Sequence, residues 1–432
     1  MTAPMYRLLC ALLVILGSST GFGDAANATD SVSFNFALYF TPEPTKDPER
    51  ELTALLDGAY RGMKEAGITM SPRWEEIAHY APPSPDSFLH FARDLSIDQG
   101  AVIARSKRVF ALTFSAPRSR LLVANRHACL LLADLADATG GIPWDDECRL
   151  LYSRRAWRSS RVDTWQGDNA DVRAQVSMHA YRNPDLVRVI TLGMRKFGLP
   201  DLVITDVPAS STRSAGNLIN ACAQRLLEGV RPDKSRMELT LSEIKHSAMR
   251  TSALANPLDG ATGKVELAFK EINRDEGDPA NTLWLLEFPE VKADTYTERQ
   301  MGAFSALYGS TDEIVQARTG DEEMRKASER ARKAFFAKEA ILRRGLEPNE
   351  RLIVKAPFAV EIGNEYMWVE VTGWQKAAVE GVLTNDSYYD KTLRYGKRVT
   401  IPFEKIYDYI HYKSDGTEEG NETGKVLARK EQ

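Results

Sequence analysis

The chain has 432 residues, 43% hydrophobic and 27% charged, which is the composition of a globular protein long enough for two to four domains. Lys plus Arg total 56 against 60 acidic residues, and the resulting charge of −4 argues against a dedicated nucleic-acid binder, which carries a basic excess. Collagen-like, disulfide-scaffold and multi-span membrane classes are excluded on composition as well.

Residues 1–28 read as a secretory signal. Arg7 supplies the positive start, Leu8 to Leu16 form an apolar run, and small residues lead to Gly23-Asp24-Ala25 and Ala26-Asn27-Ala28, either of which suits cleavage. The run falls well short of the ~20 residues that span a bilayer, so no stable transmembrane anchor is expected and the mature protein is placed in the periplasm or outside the cell. Three cysteines remain after cleavage: Cys129, Cys148 and Cys222. An odd number leaves at least one thiol unpaired. A Cys129–Cys148 bridge and three small buried hydrophobes are both compatible with the spacing.

In the mature chain, Val32, Phe34, Phe36, Leu38 and Phe40 alternate on one face of a strand over 31–41. A helix follows over 49–64, ended by Gly67, and 109–114 is a second strand. A helix from Ser119 to Ala138 is stopped by Gly140-Gly141, with Leu121, Ala124, Ala128, Leu131, Leu132 and Leu135 facing a core. Paired strands over 172–181 and 186–192, a strand over 202–207 and an amphipathic helix over 212–227 complete an α+β domain, 31–230. It is expected to carry a mainly antiparallel sheet with helices on one face. The next region, 237–317, reads as a hairpin (265–272 and 282–288) joined by a polar loop, followed by a helix over 299–307. The Glu/Lys/Arg/Ala-rich stretch 319–344 is a solvated helix entering a last domain, 322–428. Its short strands, 351–360, 365–374, 379–384 and 398–403, suggest a small bent sheet or SH3-like barrel, with 406–412 as a fifth strand or short helix and a mobile polar tail after Lys413.

Lys355-Ala-Pro-Phe358, Glu365-Tyr-Met-Trp368-Val-Glu-Val, Glu380-Gly-Val-Leu-Thr-Asn385, Gly396-Lys-Arg-Val399 and Gly420-Asn-Glu-Thr423 occur in an order that resembles the bacterial YegJ-like family, domain of unknown function 2314. Where such domains often place Asp-Trp, this chain has Asp408-Tyr409, which keeps the aromatic. Upstream, Glu276-Gly-Asp-Pro-Ala-Asn281 and Gly193–Leu202 more weakly resemble longer proteins ending in this domain. The resemblance implies a domain and no activity.

No motif announces a chemistry. Gly260-Ala-Thr-Gly263-Lys264 lacks P-loop spacing, Ser242-Glu-Ile-Lys245 has no companion Lys-Thr-Gly, and the six histidines form no His-x-x-x-His or His-x-His pair. Trp144-Asp145-Asp146-Glu147 reads most simply as a solvated acidic turn. No catalytic, metal or cofactor residues are therefore assigned.

One anomaly is compositional. Residues 351–412 hold eleven aromatic side chains, about twice the chain average of 9%. In the strand 365–374, Met367, Val369 and Val371 share one face, while Tyr366, Trp368, Glu370 and Trp374 share the other. The aliphatic set is the natural core, so the aromatic set is either covered by another element or offered for recognition. Tyr366, Trp368 and Trp374, with Lys355, Asn385 and Asp408 as polar rim, are the candidate ligand-binding residues. The expected function is that of an exported, non-enzymatic binding protein of the cell envelope, taking an envelope protein, a peptide or a glycan. The alternative is an envelope hydrolase whose site assembles only in three dimensions.

Overall fold

A computed structural model describes residues 31–430, apart from 42, 86, 184, 256, 259, 310–321, 348 and 362. The expected signal segment, 1–28, lies outside the described residues. The remainder is α+β, built on three six-stranded sheets, one to each of three units along the chain.

The first sheet comprises β1 (Ser31–Tyr39), β2 (Thr69–Glu76), β3 (Ala92–Arg93), β4 (Arg108–Pro117), β5 (Ile142–Asp145) and β6 (Leu150–Tyr152), in the order β2-β4-β1-β5-β6-β3. Alternation along β1 sends Phe34, Phe36 and Leu38 to one face. They pack there with α1 (Pro48–Asp57), the short α2 (Gly62–Glu65) and the long α5 (Leu121–Thr139), which buries Ala124, Ala128, Leu131, Leu132 and Leu135. Asp47 starts α1 by accepting from the Glu49 N–H at 3.0 Å, with Pro48 at the first helical position, and Gly140 ends α5 at φ +75°. Ala37 and Tyr39 point the opposite way. That face is covered by α3 (Phe88–Phe91) and α4 (Ile97–Ile103), so the sheet is buried on both sides.

After α6 (Arg154–Trp157), a five-residue π-helical turn (Arg158–Val162) leads to the second unit. It contains α7 (Val172–Gln175), β7 (Ser177–Asn183), β8 (Leu186–Leu192), β9 (Asp201–Val207), α8 (Thr212–Leu227), β10 (Arg236–Thr240), α9 (Ser247–Ala253), β11 (Lys264–Ile272), β12 (Leu283–Glu287) and α10 (Tyr296–Tyr308). The sheet order is β10-β11-β12-β9-β8-β7, and β12 runs parallel to β9, with Leu283 opposite Asp201. The hairpin at 264–287 thus extends the sheet begun at 177–207, and the pairing runs across the 231–236 gap between the two expected domains. The two upstream motif fragments also meet here. Asn281 donates to Asp201 at 2.8 Å, and Arg188 pairs with Asp278 at 2.6 Å, both side chains being buried.

The third unit begins with α11 (Glu322–Phe335) and α12 (Glu339–Arg344). Its strands are β13 (Arg351–Val360), β14 (Gly363–Trp374), β15 (Ala378–Leu383), β16 (Arg398–Pro402), β17 (Asp408–Tyr412) and β18 (Glu418–Gly420), and α13 (Glu422–Lys430) closes it. The order β16-β15-β14-β13-β17-β18 is an open antiparallel sheet, so of the two expected forms the bent sheet applies and the closed barrel does not. The polar tail expected to be mobile instead forms β18 and α13, because Val426 inserts against Met324 and Ala327 of α11. Asp408 holds the start of α13. Its carboxylate accepts from the backbone N–H groups of Glu422 and Thr423 and from the Thr423 hydroxyl. Gly420 makes this turn possible: at φ +102°, a Cβ would lie 2.2 Å from the Tyr409 carbonyl oxygen.

Third and second units are joined by a carboxylate cap. Glu370 of β14, 3% exposed, accepts from the Ala209 N–H at 2.6 Å and the Ser210 N–H at 2.9 Å, at the turn that opens α8. Tyr395 Oη adds a 2.5 Å hydrogen bond to Ser211 Oγ, and Gly396, at φ +84°, lies against Thr297 and Met301. Replacing Glu370 with Ala leaves two partly buried N–H groups without their acceptor. Glu370→Ala is therefore predicted to lower the unfolding free energy by about 1–3 kcal/mol, and Glu370→Gln by less because its amide oxygen still accepts; urea unfolding of both variants measures this.

Candidate functional site

The aromatic strand divides differently from its simple alternation. A bulge between Val371 and Gly373 shifts the β14–β15 register and turns Trp374 to the helix-covered side. There its ring stacks on Phe335 of α11, with centroids 5.0 Å apart, and packs on Phe403. This corrects the expectation that Trp374 shares a face with Trp368. Asp408, fully buried as the α13 cap, is likewise removed from the expected rim. Asn385 stands just beyond Thr384, which hydrogen-bonds the Trp368 carbonyl, and its own amide donates to the Asp386 carbonyl.

What remains together is Tyr366, Trp368 and Lys355. Trp368 lies directly across the ladder from Lys355, whose Nζ sits 5.4 Å from the indole centroid. Tyr366, opposite Pro357, packs on Tyr407 with centroids 4.5 Å apart. All four side chains are half-buried. Among the described residues, the Trp368 indole N–H, the Lys355 ammonium and the Tyr366 and Tyr407 hydroxyls have no hydrogen-bond partner. Burial holds the Lys355 ammonium below its ordinary value, opposed by the Asp408 charge. These four unpartnered polar groups beside aromatic surface form a strip suited to an oxygen acceptor attached to an apolar body. Next to it, Ile353, Glu370 and Val382 are buried, and Glu370 reaches the second unit, so that part of the outer face is occupied.

Sequence reasoning missed the charged centre between the first two units. Asp145, expected in a solvated turn, is fully buried. It accepts from Lys196 Nζ at 2.6 Å and lies 2.7 Å from an Arg161 guanidinium nitrogen; both cations are no more than 1% exposed. Lys196 also donates to the Gln175 carbonyl at 2.6 Å and to Cys148 Sγ at 3.3 Å. Burial works against ionisation of Asp145, yet the Lys196 and Arg161 charges hold its carboxyl below the ordinary value. Cys129, Cys148 and Cys222 are buried free thiols, and burial pushes Cys129 up to about 12 and raises Cys148. Such thiols are poor nucleophiles.

Residues 321–430 match one family model. That model is of the family described as "Uncharacterized protein conserved in bacteria (DUF2314)", and the match covers this C-terminal region alone. No curated protein and no solved structure matches the chain. The quoted C-terminal motifs acquire structural roles in this domain: Asp408 with Glu422 and Thr423, Gly420 in the turn, and Gly396 at the unit boundary. Among the described residues no group of three or more His, Cys, Asp or Glu side chains could hold a metal ion, and no helix is long and apolar enough to cross a membrane.

Beside the charged centre, Glu147 accepts from the Asn35 N–H at 3.2 Å. Burial pushes its carboxyl from an ordinary 4.5 to about 7; Arg195 opposes the shift, and the neighbouring Asp146 and Asp145 charges add to it. Between those values the folded chain holds a proton that the unfolded chain releases, so this group's contribution to stability is present at low pH and lost as pH rises through 7. The variant Glu147→Gln is predicted to gain about 1–3 kcal/mol relative to the parent between pH 4.5 and 7.5, which paired denaturation curves across that range will measure.

Proposed function

We propose that this protein is an exported, non-enzymatic binding protein of the cell envelope, whose C-terminal domain grips its partner along Tyr366, Trp368 and Lys355. The observation that carries the reading is the Lys355 ammonium, partly desolvated, set over an indole and without an acceptor among the described residues. Such a group gains most from a partner that brings a carbonyl, hydroxyl or carboxylate oxygen, as an envelope protein, peptide or glycan does. The neighbouring rings add apolar area at little conformational cost. Export rests on the basic, apolar and small-residue succession at 1–28, and buried, unreactive thiols are compatible with an oxidising compartment.

A second reading, an envelope hydrolase, draws on Glu147, whose titration near neutrality is what a general acid or base requires. A hydrolytic activity abolished in Glu147→Gln would favour it.

The test is affinity capture from envelope extract with the mature chain beside its Trp368→Ala and Lys355→Gln forms, all matched by circular dichroism. The binding reading predicts a partner held by the parent and reduced at least tenfold by each substitution. Equal capture by all three forms, or none by the parent, contradicts it. Fractionation of the producing cells tests export by whether a shortened chain appears outside the cytoplasm.

A further inference from the structure

The first and second units enclose a cleft of about 760 Å³. It lies between β3 and β7, the terminal strands of their sheets. Its volume is that of a small-molecule site, and such sites gather where domains meet. Phe91, Tyr152 and Met178 supply apolar lining, while Arg93, His179 and Asn220 supply polar groups. The five-residue π-helical turn forms part of the wall through Ser159 and Ser160, and this rare geometry concentrates at functional sites.

Two of these three polar groups are unsatisfied. His179 and Asn220 are half-buried, and neither side chain has a hydrogen-bond partner among the described residues. The His179 ring lies on Phe91, with centroids 5.6 Å apart and planes 29° apart. Burial, with Arg149 and Arg93 nearby, lowers the imidazole to about 4, so at neutral pH it is uncharged and both accepts and donates. Arg93 donates to the His90 and Ala92 carbonyls and, among the described residues, pairs with no carboxylate. Arg149 likewise donates to carbonyls, those of Gly277 and Asp278. Arg173 is neutralised by Asp171, and among the described residues no Asp or Glu lines the cleft. Positive charge is therefore left uncompensated beside apolar walls.

We infer that this cleft binds a small organic anion with a flat apolar body. The negative group sits on Arg93, His179 and Asn220 bond its polar atoms, and its body lies between Phe91, Tyr152 and Met178. Recognition combines one charge-assisted hydrogen-bonding contact with apolar burial, so affinity depends on both parts of the ligand.

Isothermal calorimetry of the whole chain with 1-anilinonaphthalene-8-sulfonate as probe tests this, beside its uncharged analogue N-phenyl-1-naphthylamine and the variants Arg93→Gln and Asn220→Ala. Arg93 is solvent-exposed, so its replacement leaves the fold intact, which near-ultraviolet circular dichroism verifies. The expected result is one site per chain, at least tenfold weaker for the uncharged analogue and for Arg93→Gln, and measurably weaker for Asn220→Ala. Absence of a saturable single site, equal affinity for the uncharged analogue, or unchanged binding by Arg93→Gln overturns the inference.

Discussion

Asp145 fixes how the first two units meet. A carboxylate with no exposure to water is tolerated only where opposite charge and hydrogen bonds replace hydration, and here they come from both sides of a boundary. Asp145 ends β5 of the first sheet, Lys196 lies between β8 and β9 of the second, and Arg161 sits on the turn between them. Separating the units would expose the centre to water or strand one of its charges. The surrounding contacts follow from this constraint. Gly193, at φ +109°, sits where a Cβ would come within 2.6 Å of Cys148 Sγ, and Cys148 Sγ lies 3.3 Å from the Leu192 carbonyl oxygen. The lock is specific because two cations share one anion. Carbonyls, Cys148 Sγ and the Tyr152 ring accommodate the surplus positive charge, with that ring 5.0 Å from the Arg161 guanidinium carbon.

The third unit is attached by different physics. Glu370 places a carboxylate at the turn opening α8, where backbone N–H groups lack helical acceptors, and the docked surface covers one part of its sheet. The strip at Tyr366, Trp368 and Lys355 lies beside that docking, held on strands whose other side packs on α11. Rigid backing lets a surface bind without ordering itself first, as the proposed recognition strip requires. The cleft between β3 and β7 shares this property, since both its walls are tied to the charged centre: Gln175 ends α7 and supplies a carbonyl to Lys196, and Leu150 of β6, which lines the cleft, pairs with Asp145.

Much of the fold was legible because its elements obey single periodicities. The two-residue alternation of β1 and the apolar spacing and flanking breaks of α5 and α8 marked those elements within a residue or two of their bounds. Most C-terminal strands, divided by Gly and Asn-Asp, were as clear. Departures arose where long-range contact overrode local pattern. The bulge at Val371–Gly373 reversed the facing of Trp374, a change that alternation cannot register. Asp145 read as part of an acidic turn because its partners lie 16 and 51 residues away. The polar tail gave little helical signal, since α13 depends on the remote Asp408 cap and on one buried Val426. Of the candidate site, Lys355 and Trp368 were legible as individual residues; their cross-strand pairing and the capping role of Asp408 were not.

Hydrogen exchange followed by mass spectrometry on the parent and on Asp145→Asn tests the claim that this centre joins the first two units. The opening free energy is expected to fall by about 3–5 kcal/mol in β1 and β4 of the first sheet and in β8 and β9 of the second, together. A loss confined to one sheet, or one below about 1 kcal/mol, would contradict it.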